Sequence, residues 1–417
     1  MKKIIALLLA GALVVMSACS APVDASQIVD AKDDARSEQD IINDYNACAE
    51  DISKINENLR SVSFKIIQNC DQDSYIFSPY SLYTVLCAIS EGASDNVEKQ
   101  IYDVLAPQGM TRERFRQCLR VNYEYLMASD TDVIDINNLA VLSDRFEYSR
   151  DFANIMGDYY KVALTRGDIG SKDTMNRINA WAKEKTNGMI DPFLTSPLEN
   201  DVSFTLLNSL YFSGRWQDSF DESSNETGTF YGQDKEMTAT FMMHTMQYSY
   251  AKSDDYSSVI LPYESGAQMR VYLPTEGKTT QDVINAISKG DNANYGTAQV
   301  NLKLPKFEMQ SDFENLTDAL KGTGLEVMCD PDMYPFDKIA QDNPMYLAAL
   351  IQKAKIEVSE EGTKAAATTM AVMDECTSIY IPTKTVDFIV DHPFVYTIEK
   401  DGTILFLGVM NELPAGA

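Results

Sequence analysis

The stretch K-A-K-I-E-V-S-E-E-G-T-K-A-A-A-T-T-M-A-V-M-D-E-C-T, residues 353–377, decides how the rest of the chain is read. It opens as a strand. Ala354, Ile356 and Val358 alternate with Lys353, Lys355 and Glu357, the two-residue period that puts apolar side chains on one face of a sheet and charges on the other. Glu360, Glu361 and Gly362 end that pattern, and residues 363–373 then carry little bulk and a single charge where a polar turn is expected. Taken as extended chain, Thr363, Ala365, Ala367, Thr369, Ala371 and Met373 share one face, with Lys364, Ala366, Thr368, Met370, Val372 and Asp374 on the other. Such a segment is built to slide between neighbouring strands and leave Lys364 in water. Alanine has the highest helix propensity, so composition alone favours an Ala-rich surface helix or a flexible linker instead.

E-E-G-T-K-A-A-A-T-T resembles the N-terminal hinge of the reactive-centre loop in the serpins, a family of serine protease inhibitors. Other motifs carry the resemblance further. H-P-F-V-Y at 392–396 and I-L-F-L-G-V-M at 404–410 resemble the closing strands of that fold, and N-S-L-Y-F-S-G-R-W at 208–216 its central strand and turn. I-F-S-P-Y-S-L at 76–82 resembles the opening of its second helix. Together they cover roughly residues 51–414 in the family's order. Each alone is weak, but chance does not assemble them in sequence. The resemblance implies an α+β serpin fold, with one large and two smaller β-sheets, about nine helices and an exposed reactive-centre loop.

Length and composition allow this. A chain of 417 residues can bury a large core, and no repeat or low-complexity linker divides it after residue 50. With 45% apolar and 10% aromatic residues it is globular. A formal charge of −27 argues against nucleic acid, whose phosphates would repel it.

Residues 1–18 read as a leader: Lys2 and Lys3, an apolar run over 4–16 too short to span a bilayer, then Ser17-Ala18-Cys19. Small residues directly before a cysteine resemble a bacterial lipoprotein cleavage site, with Cys19 the lipidated N-terminus, although Met16 stands where Leu is usual. The alternative is a plain secretory peptide. On the lipoprotein reading the protein is exported, anchored in the membrane and faces outward from the cell envelope. Residues 19–50 are acidic, with few large apolar side chains before Ile41, and read as a solvated tether to a domain over 51–417.

Residues 82, 85, 86 and 89 have helical spacing, and Asp95 with Glu98 suggests a capping box for a helix running to Leu105. Further helices are expected over 112–127, 148–160 and 173–185, the last stopping at the Asn187-Gly188 turn. Strands are expected over 133–142, 204–212, 237–243, 257–261, 269–273 and 299–304. Helices first and strands later again give α+β.

Seven cysteines, at 19, 48, 70, 87, 118, 329 and 376, show neither C-x-x-C nor a metal-like spacing to histidine, so no metal site and no cofactor is implied. Cys87, within an apolar run, reads as a small buried hydrophobe. A hydrolase would have to use His244 or His392, and neither accompanies a nucleophile elbow, while phosphate-cradling glycine loops are missing. The chain is therefore not read as an enzyme. A solute-binding lipoprotein is the rival reading, but its lobes should alternate strand and helix, and it leaves the 363–373 segment unexplained.

The resemblance assigns roles by position. Glu360, Gly362, Thr363, Ala365, Ala366 and Ala367 match the hinge, with Lys364 replacing an acidic residue on the outward face. Glu360 is expected to pair with Lys306 of L-P-K-F, with Trp216 packed alongside. Ser78, Ser81 and Asn208 match the gate beneath, where Gln352 stands in place of a frequent histidine. Counting from the hinge puts the attacked bond between Cys376 and Thr377, with Met373, Asp374 and Glu375 as alternatives because the loop region is longer than usual. No Arg or Lys lies between Ala365 and Pro382, which argues against trypsin-like targets. The partner implied is an elastase-like or chymotrypsin-like serine protease, trapped covalently by a monomeric inhibitor. A non-inhibitory serpin acting as an envelope-tethered binding protein is the alternative.

Overall fold

The computed structural model describes residues 27–31, 36–70, 72–128, 133–199, 202–290, 293–340, 343–363 and 385–414. Among them are seven α-helices: α1 (Glu38–Gln68), α2 (Pro79–Ser90), α3 (Asp95–Leu105), α4 (Arg112–Met127), α5 (Arg150–Tyr160), α6 (Lys172–Lys185) and α7 (Thr280–Ile287). The strands of the first half are β1 (Ile28–Val29), β2 (Tyr75–Phe77), β3 (Val133–Ser143), β4 (Ala163–Gly167), β5 (Phe204–Arg215), β6 (Glu226–Tyr231) and β7 (Glu236–Lys252). Those of the second half are β8 (Tyr256–Pro262), β9 (Gln268–Pro274), β10 (Gly296–Pro305), β11 (Phe307–Phe313) and β12 (Ala349–Ser359). They continue with β13 (Gly362–Thr363), β14 (Thr385–Ile389), β15 (Phe394–Lys400) and β16 (Thr403–Met410).

The strands form two sheets among the described residues. One has seven strands in the order β1-β4-β3-β5-β13-β12-β11, and β5 also pairs directly with β12. The other has nine, β14-β10-β7-β8-β9-β15-β16-β2, with β6 on β7. The two smaller sheets expected are thus one, because β7 runs on well past residue 243. Its residues 241–250 pair with β10 and its residues 249–252 with β8, so a single strand belongs to both halves. Among the described residues seven helices stand against the about nine expected. Three segments, Glu222–Ser224, Asp318–Leu320 and Glu326–Cys329, close only as 3-10 turns, too short for an i to i−4 ladder.

The tether expected over 19–50 ends sooner than its composition suggests. Ile28 and Val29 pair with β4, and α1 starts at Glu38, capped by Ser37, whose hydroxyl accepts from Asp40 N. Its apolar stripe begins only at Cys48 and continues through Ile52, Ile55, Leu59 and Val62, so the first turns look solvated in sequence. Arg36 and Tyr45 fasten those turns to α4, through an ion pair with Glu124 at 2.6 Å and a ring stack on Tyr125 at 3.8 Å. Helix α3 starts without the expected capping box. Ser94 is the N-cap and its side chain caps nothing, while Asp95 and Glu98 are drawn to Lys338 and Glu98 also to Arg112.

Candidate functional site

The centre of the seven-stranded sheet is a parallel seam between β5 and β12, paired from Thr205↔Ala349 to Leu210↔Ala354. Both strands are buried on nearly every residue of that span, as their apolar runs require. Ala354, Ile356 and Val358 face the core. On the other face Lys355 pairs with Glu308, and Lys353, almost buried, reaches Asp312 at 3.1 Å and lies over the Phe193 ring.

A row of amides crosses this seam in the dry interior. Asn138 of β3, Asn208 of β5 and Gln352 of β12 stand side by side in register. Gln352 Nε2 donates to Asn208 Oδ1 at 2.8 Å and to Ser78 O at 3.2 Å, while its Oε1 accepts from Ser78 N at 2.9 Å. Asn208 Nδ2 donates to Asn138 Oδ1 and to Ser81 Oγ. Ser78 caps α2, its hydroxyl accepting from Ser81 N at 3.3 Å. Ser78, Ser81, Asn208 and Gln352 are all 0% exposed, where each lost partner leaves an orphaned dipole. Four of the five residues are the gate positions of the sequence analysis. Asn138 is not among them. Its signal was a polar residue in an otherwise apolar strand phase.

Above residue 354 the seam parts around β13. Gly362 lies opposite Arg215 and Ser359, and Thr363 opposite Gly214 and Val358. The turn through Glu360 and Glu361 is held at both ends. Trp216 N donates to Glu361 O and Phe220 N to Glu360 O, each at 3.0 Å, and the Trp216 indole donates to Ser359 O at 2.9 Å. The indole stacks on Tyr263 at 4.4 Å, and the Tyr263 and Thr363 hydroxyls are 2.7 Å apart. Gly362 has φ +148°, and a Cβ there would fall 2.1 Å from Gly214 O, so glycine alone fits.

Lys306 Nζ sits 2.8 Å from Glu360 Oε2, and Asn225 Nδ2 donates to Glu360 Oε1 at 2.6 Å. Burial pushes the Glu360 carboxyl up, yet Lys306 and Asn225 outweigh it and hold the group below its ordinary value. Glu360, Lys306, Trp216, Gly362 and Thr363 are therefore brought together. Asn225 and Tyr263 complete the cluster without a sequence signal, since each stands beside a turn in ordinary loop composition. Thr363 departs from expectation in one respect. The alternation makes Thr363 the first residue of the inward face, and it is already inside the sheet, fully buried, because the Glu360–Glu361 turn is fastened over it. Lys364, Ala365, Ala366, Ala367, Met373, Asp374, Glu375, Cys376, Thr377 and Cys19 lie outside the described residues.

The histidines take no part in this site. His244 Nδ1 lies 3.0 Å from the Tyr248 hydroxyl, and His392 Nδ1 lies 2.9 Å from Asp391.

The family model Serpin (serine protease inhibitor) matches residues 57–413. The mouse protein glia-derived nexin is 28% identical over 366 residues, covering 84% of this chain and 90% of its own. Iripin-1 of Ixodes ricinus is 26% identical over 365 residues, covering 82% and 90%. Among solved structures, Serpin48 of Tenebrio molitor is 24% identical with a TM-score of 0.76, over 88% of this chain and 99% of that one. The thermophilic serpin tengpin in its native state gives 22% and 0.76, over 92% and 96%, which supports the fold alone. A family match across most of the length, laid over this seam, amide row and hinge, makes the chain a member of the serpins, a family generally made up of serine protease inhibitors.

Proposed function

We propose that this serpin inhibits serine proteases by cleavage of its reactive loop, trapping of the acyl-enzyme and insertion of the loop as a strand. The observation that carries the reading is β13, which is continuous with the loop and stands between β5 and β12 while the seam below it remains paired. The protease serine adds to the carbonyl of Cys376, the bond to the Thr377 nitrogen breaks, and the loop stays ester-linked to the protease. Water then competes with insertion down the seam, and insertion carries the protease away with its active site distorted. Met373, Asp374 and Glu375 are the alternative attacked residues. The lack of Arg and Lys between Ala365 and Pro382, with small Cys376 at the attacked bond and Val372 and Met373 upstream, favours an elastase-like target, with chymotrypsin-like proteases next.

The test mixes purified protein with elastase-like, chymotrypsin-like and trypsin-like proteases, followed by denaturing gels and sequencing of the released C-terminal fragment. An elastase-like enzyme should give a denaturant-stable complex, with cleavage between residues 373 and 378. If every protease merely degrades the loop, or none touches it, the non-inhibitory binding role replaces this reading. The leader supports a lipid anchor on Cys19 that holds the inhibitor, as a monomer, at the outer face of the envelope. Cys19→Ser should release it to the medium, and a wild type found soluble with an unmodified N-terminus would remove the anchor.

A further inference from the structure

Two of the buried cysteines are neighbours across a helix pair. Cys48 on α1 and Cys118 on α4 are 2% and 0% exposed, and the two helices pack against one another. Arg114, one turn before Cys118, reaches over to α1. Its Nε donates to Asp51 Oδ2 at 2.7 Å and its Nη2 to Ala47 O at 3.1 Å, two acceptors that bracket Cys48. The pin holds position 118 opposite position 48, and the two thiols lie close enough to act on one another electrostatically. Both are free thiols here. A disulfide needs side chains that already point together, because sulfurs must close to about 2.05 Å without dragging the backbone.

We propose that Cys48 and Cys118 are a disulfide site, joined when the chain folds in contact with a thiol–disulfide oxidant, and that the bond staples α1 to α4. One thiolate attacks the oxidant's disulfide and expels half of it as a thiol. The second thiolate then displaces the other half from the mixed disulfide. Two protons and two electrons pass to the oxidant, which ends as two thiols. Timing follows from burial. Burial, with the neighbouring Cys48, pushes the Cys118 thiol up to about 12, so the folded reduced protein presents almost no thiolate. The bond therefore forms before the core closes, and the folded reduced chain resists the same oxidant.

The site can be read whether or not the chain inhibits a protease. The full chain is unfolded and refolded with oxidised glutathione, in parallel with excess reduced glutathione, and each product is mapped as unreduced peptides. The oxidised sample should contain a peptide pair joining residues 48 and 118, two hydrogens lighter than the reduced peptides. Its apparent melting midpoint at a fixed scan rate should lie about 3–5 °C higher. Cys118→Ala should lose both the pair and the rise, and the wild-type map decides the matter if that variant does not fold. A map in which both thiols alkylate freely after oxidative refolding overturns the site. A joined pair with no rise in the midpoint overturns the staple, and oxidation of the folded chain as fast as of the refolding chain overturns the timing.

Discussion

Thr363 gives the sharpest test of loop insertion, because it can be altered in graded steps. Its side chain is fully buried between β5 and β12, with the hydroxyl 2.7 Å from that of Tyr263. Thr363→Ser keeps the hydroxyl and should leave function within about twofold. Thr363→Val keeps the size but removes the hydroxyl contact with Tyr263, a loss of about 1 kcal/mol, or roughly fivefold. Thr363→Arg asks for a guanidinium in the same place. Taking an unpaired charge out of water costs several kcal/mol even after relaxation. That cost turns residue 363 out of the sheet before cleavage, so insertion has to begin by burying it again, and about 3 kcal/mol at that step slows it roughly 100-fold against hydrolysis of the acyl-enzyme.

The assay is a titration of an elastase-like protease with each variant, reading the number of inhibitor molecules consumed per protease trapped. Wild type and Ser should lie together, Val a few-fold above, and Arg on the order of 100 cleavages per complex, all cut at the same bond. Since β13 exists before cleavage, Thr363→Arg should also speed hydrogen exchange at the amides of 362 and 363 in the intact protein. An Arg variant that traps protease as wild type does, or a Ser variant as damaged as Arg, would refute the insertion mechanism at this strand.

Gln352→Ala strips Ser78 N and Asn208 Oδ1 of their Gln352 partner within a dry interior, while Ser78 O keeps its bond from Leu82 N. At 1–3 kcal/mol for each of the two orphaned groups the native state should lose about 2 kcal/mol or more, measured by urea unfolding, and a loss under about 1 kcal/mol would discount the amide row. The Glu360 carboxyl is held below its ordinary value of 4.5, so the Lys306 pair stabilises the hinge at neutral pH and is lost as pH falls through the lowered value. In Lys306→Met burial acts with less opposition and raises that carboxyl. The melting gap between wild type and variant should then be widest near neutral pH and shrink below 4.5, and a gap independent of pH would count against the pair.

The alternation in β12, the apolar run of β5 and the bounds of α4 were legible because local pattern and tertiary role agree there. That Glu360 meets Lys306 beside Trp216, and that Ser78, Ser81, Asn208 and Gln352 meet one another, was legible through the resemblance alone. Nothing local distinguishes Asn208 from any other asparagine. Asn225 and Tyr263 escaped because their roles depend on chain ends that meet only after folding. The first turns of α1 escaped for a related reason. They set Ile41, Ile42 and Tyr45 among acidic and amide side chains without a continuous stripe, and are held by Arg36 and Tyr45 against α4, which no periodicity in α1 records. Early entry of Thr363 was likewise invisible, since alternation says which residues share a face and not how far a strand has advanced.

The two pairs made by β13 also set an alignment for everything that follows it. Carrying the register on places residue 365 between Phe212 and Ile356, residue 367 between Leu210 and Ala354, and residue 371 between Leu206 and Leu350. All three rows are apolar and all three newcomers are alanine. The row of Asn208 and Gln352 receives residue 369, and there the chain carries threonine, which both donates and accepts. A structure of the cleaved protein with another residue in that row would show that the alignment slips. Otherwise the Asn208–Gln352 bond that the proposed insertion would break is exchanged for a hydroxyl able to satisfy both amides, so the polarity of the loop sequence matches, row by row, the strands it would enter.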